Sequence, residues 1–92
     1  MERVIEVVPE AGLHARPASK FVQTVNQYDA TVTVGRADDD GDPVPGNSML
    51  SVTGLNVQHG ESVRLVAEGD DAADVLDALE EILTTPVEEE AS

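Results

Sequence analysis

Residues 3–8, Arg-Val-Ile-Glu-Val-Val, are rich in β-branched side chains and stop at Pro9. This pattern predicts a first strand with Ile5 and Val7 turned toward a core and Glu6 toward water. From Pro17 to about Gln27 the apolar residues Ala18, Phe21, Val22 and Val25 recur at i, i+3, i+4 and i+7, the stripe of an amphipathic helix, and Tyr28 and Asp29 close it. Thr31-Val32-Thr33-Val34 alternates, so a second strand with Val32 and Val34 inward is expected. An acidic turn follows at 38–42, and Pro43-Val44-Pro45 leaves room only for a very short third strand, which its prolines confine to a sheet edge.

Asn47 or Ser48 can cap the next segment, which Gly54 ends after one or two helical turns. In so short a helix Val52 can be buried, but not both Met49 and Leu50. His59-Gly60-Glu61 reads as a turn with His59 exposed, and residues 62–67 as a fourth strand with Val63 and Leu65 inward. Gly69-Asp70-Asp71 then opens and caps a last helix whose buried stripe is Val75, Leu76, Leu79, Ile82 and Leu83, with Asp74, Asp77, Glu80 and Glu81 in water. Pro86 ends it. Strands with one polar face, interleaved with two larger helices and one short helix, predict an α+β domain: an antiparallel four-stranded sheet with helices on one face. The domain is expected to span 1–85, with 86–92 an acidic disordered tail.

Ninety-two residues permit one small core and no second catalytic domain. Cys is absent, which excludes a disulfide framework and a thiolate metal site. No apolar run is long enough for a membrane span, and the first residues lack the basic and apolar regions of a signal peptide. A cytoplasmic, monomeric protein is expected, with no metal and no cofactor. The acidic run at 38–42 lacks the ligand spacing and closing glutamate of a calcium loop, and His59 has no second ligand at metal spacing.

Charge sharpens this picture. Nineteen Asp and Glu oppose five Lys and Arg, a net −14, which argues against nucleic acid or an anionic membrane as partner. The acids run from Glu2 to Glu90 rather than sitting in one tail. Such a surface repels itself at low ionic strength and is relieved in molar salt, which points to a halophilic source.

The candidate chemistry lies in Gly12-Leu13-His14-Ala15-Arg16-Pro17-Ala18-Ser19. Proline is best tolerated in the first helical turn, so the helix is expected to start at Pro17 with Arg16 near its N-cap. First-turn amides lack intrahelical acceptors and lie at the positive end of the helix dipole, so an anion is favoured there, and Arg16 adds a permanent planar cation. A neutral imidazole at this corner is a competent nucleophile. A phosphoryl group carried by His14 would meet the amides of Ala15, Arg16 and Ala18 and the Arg16 guanidinium. A Ser-His-Asp hydrolase is a poor reading, because Ser19 is on the helix and no acid is placed to orient the ring.

Those eight residues resemble the active-site signature of the HPr family, the histidine phosphocarriers of the bacterial sugar phosphotransferase system. Ser48-Met49-Leu50-Ser51-Val52 is similar to that family's Ser-Ile-Met-Gly-Val segment, which lies beside the active site. The resemblance implies an open-faced β-sandwich with strand order 1-4-2-3. It implies phosphorylation of His14 on Nδ1, donation by enzyme I and transfer to an enzyme IIA-type acceptor in sugar uptake. It also implies partner contacts at Ser19, Lys20, Gln23, Met49, Leu50 and Thr53. Ser48 matches a serine that some members phosphorylate for regulation, although here Asn47 precedes it and an N-cap is the plainer role. Two alternatives stay open: a regulatory protein-binding module of the same fold, and a carrier serving a dihydroxyacetone kinase phosphotransfer subunit. With no nucleotide loop, the chain reads as a stoichiometric intermediate rather than a self-sufficient enzyme.

Overall fold

A computed structural model of the chain describes residues 1–10, 12–38 and 42–85. Seven elements follow one another: β1 (Glu2–Glu6), α1 (Ala15–Asn26), β2 (Thr31–Arg36), β3 (Val44–Pro45), α2 (Met49–Gly54), β4 (Ser62–Glu68) and α3 (Ala72–Leu83). The strands form one antiparallel sheet in the order β1-β4-β2-β3, with Ile5 opposite Val63 and Val34 opposite Leu65. The helices cover one face, α1 and α3 packed on each other and α2 against α1 and β3. This is the open-faced sandwich, in the strand order that the family resemblance implies.

The period-2 pattern places the core. Ile5, Val7, Val32, Val34, Val63, Leu65 and Ala67 face the helices and are buried, and Ala18, Phe21, Val25, Val75, Leu76, Leu79 and Leu83 answer them from α1 and α3. Among the described residues no polar or charged side chain is fully buried. Aliphatic burial at about 25 cal/mol per Å2 therefore carries the stability of this domain. Of the large apolar side chains described, Met1, Val4, Met49 and Leu50 remain exposed, Leu50 by 84%.

Several boundaries differ from the sequence expectations. Helix α1 begins at Ala15, two residues before Pro17, and the residue flanking it is His14 rather than Arg16. Proline lacks only its N–H, a group unpaired throughout the first turn, so it fits the third helical position as well as the first. Strand β1 ends at Glu6, β2 runs two residues further than expected, and α1 ends at Asn26. Ile82 is only partly buried. Asp71 flanks α3 but does not cap it through its side chain. Its Oδ2 accepts the Asp29 N–H at 2.9 Å, so the aspartate ties the end of α1 to the start of α3. Ser48 does cap α2, its Oγ accepting the Ser51 N–H at 3.3 Å. The centre of the acidic turn, residues 39–41, and the tail expected at 86–92, including Pro86, lie outside the described residues.

Candidate functional site

The site is a corner where the β1–α1 loop leans on the α2–β4 loop. Leu13 is buried, and its N–H donates to the Val57 carbonyl at 2.9 Å, so the residue before His14 is anchored by both side chain and backbone. Gly12 makes this approach possible. It has φ +76°, its N–H bonds to the Pro9 carbonyl at 2.9 Å, and a β-carbon there would fall 2.9 Å from Gln58 Cα and closer still to the Val57 carbonyl oxygen. Gly12→Ala is expected to destabilise the fold by more than about 2 kcal/mol, since it combines left-handed strain with a backbone clash. Chemical denaturation with an unchanged m-value checks this.

His14 is extended (φ −135°, ψ 165°) and its side chain makes no capping bond to α1. The imidazole is half-buried at the mouth of the helix. Ala15 follows in the left-handed region with φ 53°, which costs of order 1 kcal/mol for a residue with a β-carbon. Helix geometry then decides which amides are available. The amides of Ala15 and Arg16, at the first two helical positions, precede any intrahelical acceptor, and Pro17 brings none. Arg16 is exposed beside them, with no acid in the first turn to oppose an anion.

Of the other residues singled out, Ser19, Lys20 and Thr53 are half-buried, and Gln23, Met49 and Leu50 are exposed. Gln23 Nε2 donates to Ser19 Oγ at 3.0 Å, so these two α1 residues, one turn apart, act together. Thr53 Oγ1 donates to the Met49 carbonyl at 2.9 Å, turning its hydroxyl into its own helix. A groove between α1 and α3, lined by Pro17, Lys20, Thr24, Tyr28, Glu81 and Ile82, leaves His14 outside it.

The α2–β4 loop holds residues that the sequence did not single out. Gln58 Nε2 lies 3.4 Å from His14 Nε2 and 2.8 Å from Asn56 Oδ1. Glu61 Oε1 accepts the Gln58 N–H at 2.8 Å, while Glu61 Oε2 takes Arg36 Nη2 at 2.5 Å. Arg36 Nη1 also donates to the Leu55 and Asn56 carbonyls, at 3.3 and 3.0 Å. The Arg36 guanidinium, then the Gln58 amide, hold the Glu61 carboxyl below its usual range. His59, expected only as an exposed turn residue, is exposed and also bonded. Its Nδ1 lies 2.7 Å from the Val8 carbonyl, which can only accept, so that nitrogen carries the proton.

The family model described as the PTS HPr component phosphorylation site matches residues 1–85. The chain belongs to the HPr family. It is 71% identical over 86 residues to the phosphocarrier protein HPr of Haloferax volcanii, covering 94% of this chain and 96% of that one. A Haloferax relative is consistent with the halophilic source read from the charge. A multiphosphoryl transfer protein of Salmonella typhimurium is 40% identical over 70 residues, 76% of this chain and 19% of that longer protein. Among solved structures, the phosphocarrier protein HPr of Bacillus anthracis str. Ames superposes with a TM-score of 0.83 at 30% identity, covering 90% of this chain and 95% of the other. Among the described residues, no helix of this HPr-family chain is long and apolar enough to cross a membrane, and no cluster of three metal-ligating residues occurs.

Proposed function

We propose that this HPr-family chain carries a phosphoryl group on Nδ1 of His14 in the cytoplasm, receiving it from enzyme I and handing it to an enzyme IIA-type protein in sugar uptake. One observation carries the proposal: His14 stands at the open start of α1, its side chain unused as a cap, next to two amides without helical acceptors and to Arg16. In transfer, the Nδ1 lone pair attacks phosphorus and the donor leaves with the electron pair of its broken bond. The dianion formed then lies at the positive end of the α1 dipole, within reach of the Ala15 and Arg16 amides and the Arg16 guanidinium. These are surface donors rather than a closed pocket, so the phosphoryl group is held weakly enough to move on. Arg16→Met is therefore expected to slow transfer while leaving the melting temperature near that of the wild type. Incubation with enzyme I and phosphoenolpyruvate tests the proposal; an acid-labile, base-stable phosphate on His14 supports it, and its absence overturns it.

Partner docking is assigned to the apolar end of α2 with the exposed part of α1. Leu50 is 84% exposed and Met49 40%, two adjacent side chains that contribute little to this chain's own core. Leu50→Glu is expected to weaken association with either partner by about 1–3 kcal/mol, the range for losing one buried aliphatic anchor. A titration calorimeter measures this. Unchanged affinity with a large loss of thermal stability would instead place Leu50 in the fold's own packing.

A further inference from the structure

We propose that Arg36 is a positioning residue for phosphoryl transfer: its guanidinium holds the α2–β4 loop in the shape that seats Leu13, and through Leu13 it fixes where His14 stands. The inference rests on the phosphocarrier reading and adds to it a residue at the end of β2, outside the His14 motif. Four consecutive loop residues carry the argument. Arg36 Nη1 donates to the Leu55 and Asn56 carbonyls at 3.3 and 3.0 Å, and Nη2 grips Glu61 Oε2 at 2.5 Å. The other oxygen of Glu61 accepts the Gln58 N–H at 2.8 Å. Between Asn56 and Gln58 lies Val57, whose side chain is fully buried and whose carbonyl accepts the Leu13 N–H at 2.9 Å. The acceptor on which the His14 segment hangs is thus flanked on both sides by groups that answer to Arg36.

The loop needs such a holder. Asn56 has φ 56°, in the left-handed region that a residue with a β-carbon keeps only when its surroundings impose it. Without the guanidinium, the Leu55 and Asn56 carbonyls turn to water and the peptide units beside Val57 can relax. Gly12 transmits any such shift. It lies so close to the Val57 carbonyl and to Gln58 that a β-carbon would collide with both, so residues 12 and 13 must follow the loop.

Arg36 is suited to be the fixed point. It closes β2, where its Cα pairs with Val63 of β4, and hydrogen bonding to Glu61, then to Asp38, raises its pKa further, so it stays charged. Its planar fork meets several acceptors at set angles, which a lysine ammonium does not. A misplacement of about 1 Å can cost on the order of a hundredfold in rate, so a loop that carries the nucleophile's neighbour bears directly on transfer.

Arg36→Met and Arg36→Lys in the full chain test the assignment by steady-state transfer from phosphorylated enzyme I and by amide hydrogen exchange of the unphosphorylated protein. In Arg36→Met, kcat is expected to fall on the order of tenfold with KM unchanged. Its Leu13 amide is expected to exchange about tenfold faster, while amides at the centre of β4 keep their wild-type rates. Arg36→Lys, which keeps the charge but not the fork, is expected to behave in the same way. A wild-type kcat in Arg36→Met overturns the proposal, and so does a wild-type Leu13 exchange rate. Full activity in Arg36→Lys overturns it too, because charge alone would then account for Arg36. If Arg36→Met unfolds or all its amides exchange faster, Arg36→Lys decides by the same two readouts. A wild type that takes no phosphoryl group from enzyme I sinks the phosphocarrier reading and this role with it, whereas wild-type uptake with unimpaired variants sinks this role alone.

Discussion

His14→Ala is expected to remove phosphoryl acceptance entirely while the fold and its melting temperature change little. The first half follows from chemistry: among the described residues His59 is the only other imidazole, and its Nδ1 is already committed to the Val8 carbonyl at 2.7 Å. The second half follows from packing. His14 is half-buried and makes no capping bond, whereas the loop is anchored by Leu13 in the core, by the Leu13–Val57 backbone bond and by Gly12 against residues 57 and 58. A substitution away from the core and from any cap usually changes stability by less than about 0.5 kcal/mol, which for a domain of this size is a shift of only a few degrees. Mass spectrometry after incubation with enzyme I and phosphoenolpyruvate reads the first half, and a thermal melt the second. A phosphorylated His14→Ala protein would overturn the assignment of His14, and an unfolded one the placement of its side chain outside the core.

The site motif was legible because it is contiguous. His14, Ala15 and Arg16 are neighbours in sequence, and a proline in the next position marks a helix start within a turn. The exact first residue was not legible, because proline satisfies any of the first three positions of a helix. Strand faces were legible from period-2 alternation, and the edge position of β3 from its flanking prolines. What escaped the sequence was tertiary. Gln58 meets His14 across 44 residues and Arg36 meets Glu61 across 25, and no local pattern announces a polar contact at such separations. Asp71 misled for the same reason: its position is that of a helix cap, but an amide 42 residues earlier in the chain competes for its carboxylate and wins.

Raising potassium chloride from low concentration to about 1 M is expected to raise the melting temperature, by on the order of 10 °C if screening recovers about 2 kcal/mol. Two electrostatic terms oppose each other. Ion pairs weaken in salt, and those among the described residues include Arg3 with Asp77 and Glu80, Arg36 with Asp38 and Glu61, and Arg64 with Glu2. Such pairs sit in solvent, where water and side-chain entropy leave each of them weak, so their loss is bounded. Repulsion has more members, since nineteen acids face five bases. Along α3, Asp74 and Asp77, Asp77 and Glu80, and Asp77 and Glu81 are like charges at i+3 or i+4, each unfavourable by roughly 0.2–0.5 kcal/mol. Glu80 and Glu81 also stand near the negative end of that helix, whose last turn holds no base. In molar salt the Debye length falls to about 3 Å, which screens these exposed contacts, while the buried Val and Leu side chains keep their contribution. Repulsion therefore loses more than pairing does, and the fold gains. The Arg3 brace on Asp77 is the internal check: Asp77→Asn removes an ion pair and three repulsions together, so it should stabilise at low salt and flatten the salt dependence. A melting temperature that stays level or falls across a chloride titration at fixed pH would overturn the halophilic reading and leave the family assignment untouched.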